Sequence, residues 1–188
     1  MLGRLWSQQR SLFRGKKKEE PVKEEVFDVD LEHGAVTRKV DGSRVMMMGS
    51  HGWASIEKEL ETTFITGAAV IMQRVGYSYG RAMGRAARNQ QIAPEQTFEQ
   101  MQALARESGW GLFTLSSGDL YGGMARITVR DCYFCLHARE STERVCFVLA
   151  GLVGGIADEI IGSTHRVTEE RCIAKGDAVC EILVERVG

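Results

Sequence analysis

Proline is scarce in this sequence, 2 residues in 188, and no apolar run approaches the roughly 20 residues that a membrane-spanning helix needs. The first residues carry Arg4 and Arg10 without a continuous apolar stretch or a small-residue cleavage site. A secretory leader is therefore not expected, and the chain reads as cytoplasmic. There is no Gly-x4-Gly-Lys-Ser/Thr loop, no Gly-x-Gly-x-x-Gly unit between a strand and a helix, no Gly-x-Ser-x-Gly elbow and no His-Glu-x-x-His pair. These absences remove the common signatures of phosphate binding, dinucleotide binding, serine hydrolysis and zinc-dependent hydrolysis. The four histidines, His33, His51, His137 and His165, are scattered. No catalytic residue is assigned, and whether the chain is an enzyme stays open. Bulk positive charge is missing too: the net charge is -1, which argues against a direct nucleic-acid partner held by electrostatics.

What remains is an ordinary globular composition. Hydrophobic residues make up 44% and charged residues 26%, enough to bury a core. The length suits one domain with a tail. Charge is segregated. Residues 1–18 contain Arg4, Arg10, Arg14, Lys16, Lys17 and Lys18 and no acid, so this stretch carries +6 and the remainder -7. An acidic run follows from Glu19 to Glu32. We divide the chain into a basic, then acidic, flexible tail over 1–25 and a single domain over 26–188. Leu2, Leu5, Trp6, Leu12 and Phe13 would share one face of a short helix. That pattern fits a weak membrane-surface or partner contact through residues 1–18, or simply a solvated terminus.

Within the domain the patterning is mixed. Asp41-Gly42 between Ala35–Val40 and Ser43–Met48 is a two-residue hairpin signal. Trp53, Ile56, Leu60 and Phe64 recur at helical spacing. A second helix is expected over Ala68–Asn89, with Gly76, Gly80 and Gly84 on one face, for close packing against another element or a ligand. Pro94 opens a third helix to Glu107. Trp110–Leu115 and Met124–Val129 read as strands joined around Ser117-Gly118-Asp119. Val145–Ile161 reads as an apolar helix, and Thr164–Val167 and Val179–Val187 as closing strands. The fold class is α+β, helices with an antiparallel sheet.

The cysteines carry the chemistry. Five is an odd number, so they cannot all pair within one chain, and a reducing compartment favours thiols or metal ligands. Lys175-Gly176-Asp177 makes a turn between Cys172 and Cys180, Glu169 lies three residues before Cys172, and Cys146 opens the apolar helix. Three thiolates and a carboxylate would suit zinc, while buried unligated thiols remain the alternative. Cys132 and Cys135 form a Cys-x-x-Cys pair after a predicted strand. They read as a redox pair, a second metal site or two packed side chains.

The residues Cys146-Phe147, Gly151, Gly155, Gly162, Glu169-x-x-Cys172, Gly176-Asp177 and Cys180 together resemble the 4-vinyl-reductase domain, a small-molecule-binding module. Arg44-Val45-Met46-Met47, Leu60-Glu61-Thr62 and Met72 to Tyr77 with Gly80 are similar to the N-terminal sensor domain of aromatic-responsive NtrC-type activators. The resemblance covers about residues 35–187. It implies the α+β fold of the TRAPP vesicle-tethering subunits, a homodimer, and a structural zinc ion on Cys146, Glu169, Cys172 and Cys180.

It also implies a hydrophobic ligand, for which we expect Phe98, Met101, Gln102, Trp110, Met124 and Ile127 as lining. The histidine that phenol sensors use falls near Gln102, and their tryptophan falls within Val129–Cys132, where there is none. The expected function is thus a non-enzymatic sensor of a hydrophobic small molecule, stabilised by zinc and acting on an unidentified output protein. The alternative is an accessory or carrier protein in tetrapyrrole (bacteriochlorophyll) vinyl reduction. A tethering subunit rests on fold analogy alone.

Overall fold

Phe27–Asp30 (β1), Ala35–Arg38 (β2) and Arg44–Val45 (β3) pair antiparallel in the order β1-β2-β3. The computed structural model describes residues 26–39, 42–138 and 144–188. The basic tail over 1–18, residues 19–25 of the acidic run, Val40 at the end of the expected first hairpin strand and Asp41 of the expected turn lie outside the described residues. The flanking strands of that hairpin are present but shorter than expected, Ala35–Arg38 and Arg44–Val45, and β1 is an addition. Its connection to β2 is an Asx-type turn: the Asp30 carboxylate accepts the N–H groups of Glu32 and His33, each at 3.0 Å. These strands belong to one compact unit, Met1–Met46, and the rest of the chain to a second, Met47–Gly188.

The second unit holds four helices and a four-stranded sheet among the described residues. The helices are Ser50–Phe64 (α1), Ala68–Asn89 (α2), Pro94–Glu107 (α3) and Phe147–Ile161 (α4). The strands are Leu112–Asp119 (β4), Met124–Arg130 (β5), His165–Arg171 (β6) and Cys180–Arg186 (β7), all antiparallel, in the order β4-β5-β7-β6. The fold class is α+β, as expected. One boundary differs. β4 runs on through Ser117-Gly118-Asp119, across an irregularity between Leu115 and Ser117, and the reversal falls at residues 120–123. Ser117 and Gly118 pair with Arg126 and Ala125, so residues with turn propensity are absorbed into the ladder.

Alternation places Ala125, Ile127 and Val129 of β5 and Cys180, Ile182 and Val184 of β7 on one buried face. Helix α4 covers it. Every residue of α4 from Val148 to Ala157 is buried, because the helix is packed on two sides. On one side Gly154 meets the Val167 side chain of β6. On the other, a Cβ added at Gly151 or Gly155 would lie 2.0 or 2.2 Å from the Gln73 or Tyr77 carbonyl oxygen of α2. The reciprocal holds on α2, where a Cβ at Gly76 or Gly80 would lie 2.0 or 2.1 Å from the Val148 or Leu152 carbonyl oxygen. The glycines read as a close-approach face therefore serve helix packing. At such separation only a hydrogen fits, and each backbone fills the notch left by the other.

Charge locks the same pair of helices. Glu159 is buried near the end of α4 and meets Arg81 at 2.9 Å, Arg88 at 2.6 Å and Arg85 at 3.9 Å, all from one face of α2. Beside it, Asp158 accepts the Tyr77 hydroxyl at 2.7 Å and the His165 backbone N–H at 2.7 Å. This joins α2, α4 and the start of β6.

Candidate metal centre and aromatic cluster

Two turns and a helix start bring the sulfurs together. Asp131 adopts a left-handed conformation (φ 51°) and turns the chain out of β5 into a short 3-10 turn, Tyr133–Cys135, in which the Cys135 N–H donates to the Cys132 carbonyl at 3.2 Å. Cys146 precedes the first residue of α4, and its carbonyl accepts the Ala150 N–H at 2.8 Å. After β6, a second 3-10 turn, Ile173–Lys175, ends at Gly176 with φ 95°, a conformation that favours glycine. The Asp177 carboxylate accepts the Cys172 N–H at 2.8 Å and closes this loop, while the Ile173 N–H points at the Cys180 sulfur at 3.4 Å.

The result is one buried cluster of all five cysteines. Cys146, Glu169, Cys172 and Cys180 place one donor atom each within 4.8 Å of one another, and so do Cys132, Cys135, Cys146 and Cys180. The Cys146 sulfur is 3.6 Å from that of Cys132, 3.4 Å from Cys135 and 3.6 Å from Cys180. Cys135 is also 3.4 Å from Cys180 and 3.8 Å from Cys172. A tetrahedral zinc with sulfur at about 2.3 Å has sulfur-sulfur edges of about 3.8 Å, so these separations are those of a ligand set.

Cys132 and Cys135, which the sequence leaves as a redox pair, a second metal site or two packed side chains, lie against the sulfurs of the other three cysteines. The strand ends at Arg130, and the 3-10 turn aims both sulfurs the same way.

Glu169 sits on the core face of β6. Its Oε2 accepts the Cys146 backbone N–H at 3.2 Å, and its Oε1 is buried without a partner. Burial, aided by the neighbouring Cys172, pushes its carboxyl up to about 8. A cation at Oε1 would oppose that shift and satisfy the orphaned oxygen. Among the sulfurs, Cys135 is driven low as the acceptor of S–H groups, foremost that of Cys132, and Cys146 is driven up. The donor set fits a borderline-soft divalent ion in chemistry and spacing.

Next to the sulfurs lies an aromatic cluster. Phe134, inside the Cys-x-x-Cys turn, is buried and packs edge-on against Trp53 of α1 at 5.2 Å and Trp110 at 6.1 Å, and Trp110 meets Tyr79 of α2 at 6.0 Å. The Tyr133 N–H donates to the Trp110 carbonyl at 3.1 Å, and the Tyr133 hydroxyl to that of Met48 at 3.0 Å, so the same turn anchors the approach to α1. The indole N–H of Trp53 is buried and has no partner in hydrogen-bonding geometry. The Glu57 carboxyl, one turn further along α1, is close enough for the indole to lower it. Burial dominates, however, and pushes it up to about 7. Sequence reasoning missed Trp53 and Glu57 as site candidates. Trp53 was noted only as a member of an apolar helix face, and nothing local in sequence marks its N–H as unpaired.

The expected lining residues divide. Phe98 packs against the core and Trp110 joins the aromatic cluster. Met101 is half-buried. Gln102 is half-buried as well, with its side-chain amide donating to the Phe113 carbonyl at 2.9 Å, which fastens α3 to β4. Ile127 is sealed in the core, whereas Met124 is 55% exposed on the opposite face of β5.

This architecture is that of a class of α+β modules with known members. A solved structure of the phenol-responsive sensory domain of the transcription activator PoxR, with phenol, has a TM-score of 0.73 at 17% identity, covering 86% of this chain and 85% of that one. A trafficking protein particle complex subunit 3 from Naegleria fowleri, covalently bound to palmitic acid, has a TM-score of 0.55 at 13% identity, covering 74% and 95%. A vinyl-4-reductase family protein from Methanocaldococcus jannaschii has a TM-score of 0.54 at 14% identity, covering 77% and 85%.

More particularly, residues 125–186, from β5 through β7, match the family model of the V4R domain. The resemblance read from the glycine and cysteine pattern is thereby found independently. An uncharacterized protein of Methanocaldococcus jannaschii, MJ0150, is 20% identical over 114 residues, 61% of this chain and 65% of that relative's length. No helix among the described residues is long and apolar enough to cross a membrane.

Proposed function

We propose that this chain is a non-enzymatic sensor module for a hydrophobic small molecule, stabilised by a structural zinc ion and acting in trans on a separate output protein. The observation that carries the ligand reading is the buried indole N–H of Trp53, which makes no hydrogen bond in good geometry although it acts on the Glu57 carboxyl, at the edge of an aromatic cluster. Apolar walls with a few polar anchors are what small-molecule sites use. Trp53, Phe134 and Trp110, with Phe98 and Met101 toward α3, would contact the ligand, and the Trp53 N–H and Glu57 would meet a polar atom on it. Cys146, Glu169, Cys172 and Cys180 would hold the zinc. With four protein donors that site is closed, so the metal's role is to fix the fold. It would tie the start of α4 to β6 and β7 beside the aromatic cluster.

A ligand signals only by binding two states unequally. The turn 132–135 is suited to transmit this, because the same residues bear two cluster sulfurs and the ring of Phe134. A homodimer is part of the proposal. Phe64, Ile65, Val70 and Val75, exposed around the end of α1 and the start of α2, offer an apolar surface for a second copy.

The test is a melting series of the full chain with phenol, biphenyl and palmitic acid. We expect a saturable rise in Tm with at least one probe, reduced in Trp53→Phe. No shift with any of the three at millimolar concentration would sink the ligand reading. Elemental analysis of the purified chain tests the zinc, and light scattering tests the dimer.

A further inference from the structure

The Cys-x-x-Cys pair is unused by the function proposed above, yet its sulfurs lie inside the same cluster. The two donor quartets overlap in two members, Cys146 and Cys180, and together use six side chains. Six donors are the number required when two tetrahedral ions share an edge: two bridging ligands and two terminal ligands on each ion. The shared pair is cysteine on both sides, and thiolate sulfur has the lone pairs to bridge two ions.

We propose that this chain holds a dinuclear centre, with a second divalent ion bound by Cys132 and Cys135 and bridged through Cys146 and Cys180 to the ion on Glu169 and Cys172. The proposal rests on the zinc reading above and extends it.

Charge supports the pairing. Fully deprotonated, five thiolates and one carboxylate carry -6 in a site where every donor residue is buried. One divalent ion would leave -4, a large charge to keep out of water, unless Cys132 and Cys135 stay protonated. Two divalent ions leave -2, the same as a single zinc on four cysteines.

Local geometry supports it as well. The 3-10 turn and the left-handed Asp131 present Cys132 and Cys135 as a two-sulfur clamp, and Cys135 lies 3.4 Å from each of the two shared sulfurs. Cys135 and Cys172, 3.8 Å apart, would be terminal ligands of different ions and must separate on loading. An almost wholly sulfur environment selects zinc or cadmium over magnesium or calcium.

The experiment is a metal count on the full chain, reduced, loaded with zinc and measured by native mass spectrometry and elemental analysis. The expected values are two zinc ions per wild-type chain and one in the double variant Cys132→Ser/Cys135→Ser. A cadmium titration followed by sulfur-to-metal absorption should saturate at two equivalents. One zinc in wild type, retained in the double variant, overturns the second ion and leaves the Glu169 site standing. One zinc in wild type, lost in the double variant, overturns both, since the ion would then sit on the all-cysteine quartet. No zinc in wild type also overturns both. A wild-type count of one or none overturns the second ion even if a variant fails to fold.

Discussion

The sulfur of Cys135 lies 3.4 Å from that of Cys180, 45 residues further along the chain. One comes from a turn after β5 and the other opens β7, the strand that pairs directly with β5. The contact therefore ties the sheet to a loop that also carries Phe134 of the aromatic cluster. Any ion seated between these sulfurs stabilises both at once.

Removal of a shared ligand should be costly. Cys180→Ser is expected to abolish zinc retention. Metal bound about a thousandfold above its dissociation constant contributes roughly 4 kcal/mol. For a chain of this size that corresponds to a fall in Tm of about 10 °C. Chelation of the wild type should reproduce the drop, and calorimetry before and after re-addition of zinc checks it. Unchanged melting on chelation would remove the structural role of the metal.

The α2–α4 contact makes a second, metal-independent prediction. At Gly80 an added methyl would meet the Leu152 carbonyl oxygen at 2.1 Å, and both are backbone-fixed. Gly80→Ala should cost about 3 kcal/mol or more, at the upper end of overpacking effects. Gly162→Ala faces open space, and its φ of 75° should cost only about 1 kcal/mol. Urea denaturation of the two variants should separate them clearly, and equal stabilities would contradict the packing argument.

Glu57 gives a pH test. Its folded carboxyl is raised to about 7, mainly by burial, from an ordinary 4.5. The folded state therefore holds a proton that the unfolded state has released between these values. Its contribution to stability is full below pH 4.5, declines as pH rises toward 7, and is lost above. Because the side chain is only partly buried, the loss is about 1 kcal/mol rather than the full shift. Glu57→Gln should stabilise the chain by about that much at pH 8 and by little at pH 5. A variant with the same stability gain at both pH values would refute the assignment.

Phe134 and Trp53 should behave differently although their rings touch. Phe134→Ala opens a cavity beside the sulfurs and should cost about 3 to 5 kcal/mol. Trp53→Phe keeps one aromatic ring but removes the second ring of the indole together with its N–H, so a smaller cost of about 1 to 2 kcal/mol is expected. Denaturant melts of both, followed by far-ultraviolet circular dichroism, test the contrast.

The amphipathic spacing of α1, the apolar run of α4, Pro94 at the start of α3 and the glycine face of α2 were all legible in the sequence, because each is a local pattern with a local physical cause. The glycine spacing even carried its tertiary meaning, since three notches in register have few uses other than close approach. β1 was missed, a four-residue strand whose FDVD sequence sits in an acidic run. The extension of β4 through Ser117 and Gly118 was missed as well, because pairing with β5 overrode turn propensity.

The sequence by itself determined the α+β class, the helix packing face and the chemistry of the candidate metal donors, for residue type and spacing are sufficient for these. Only the tertiary structure decided that all five sulfurs share one place, since a single left-handed residue, Asp131, redirects two of them. It alone decided which face of β5 is covered, so that Ile127 is sealed and Met124 is exposed, and that the Trp53 N–H ends up buried without a hydrogen bond in good geometry. Such features depend on where a chain reverses and on what it packs against, and elements far apart in sequence fix both.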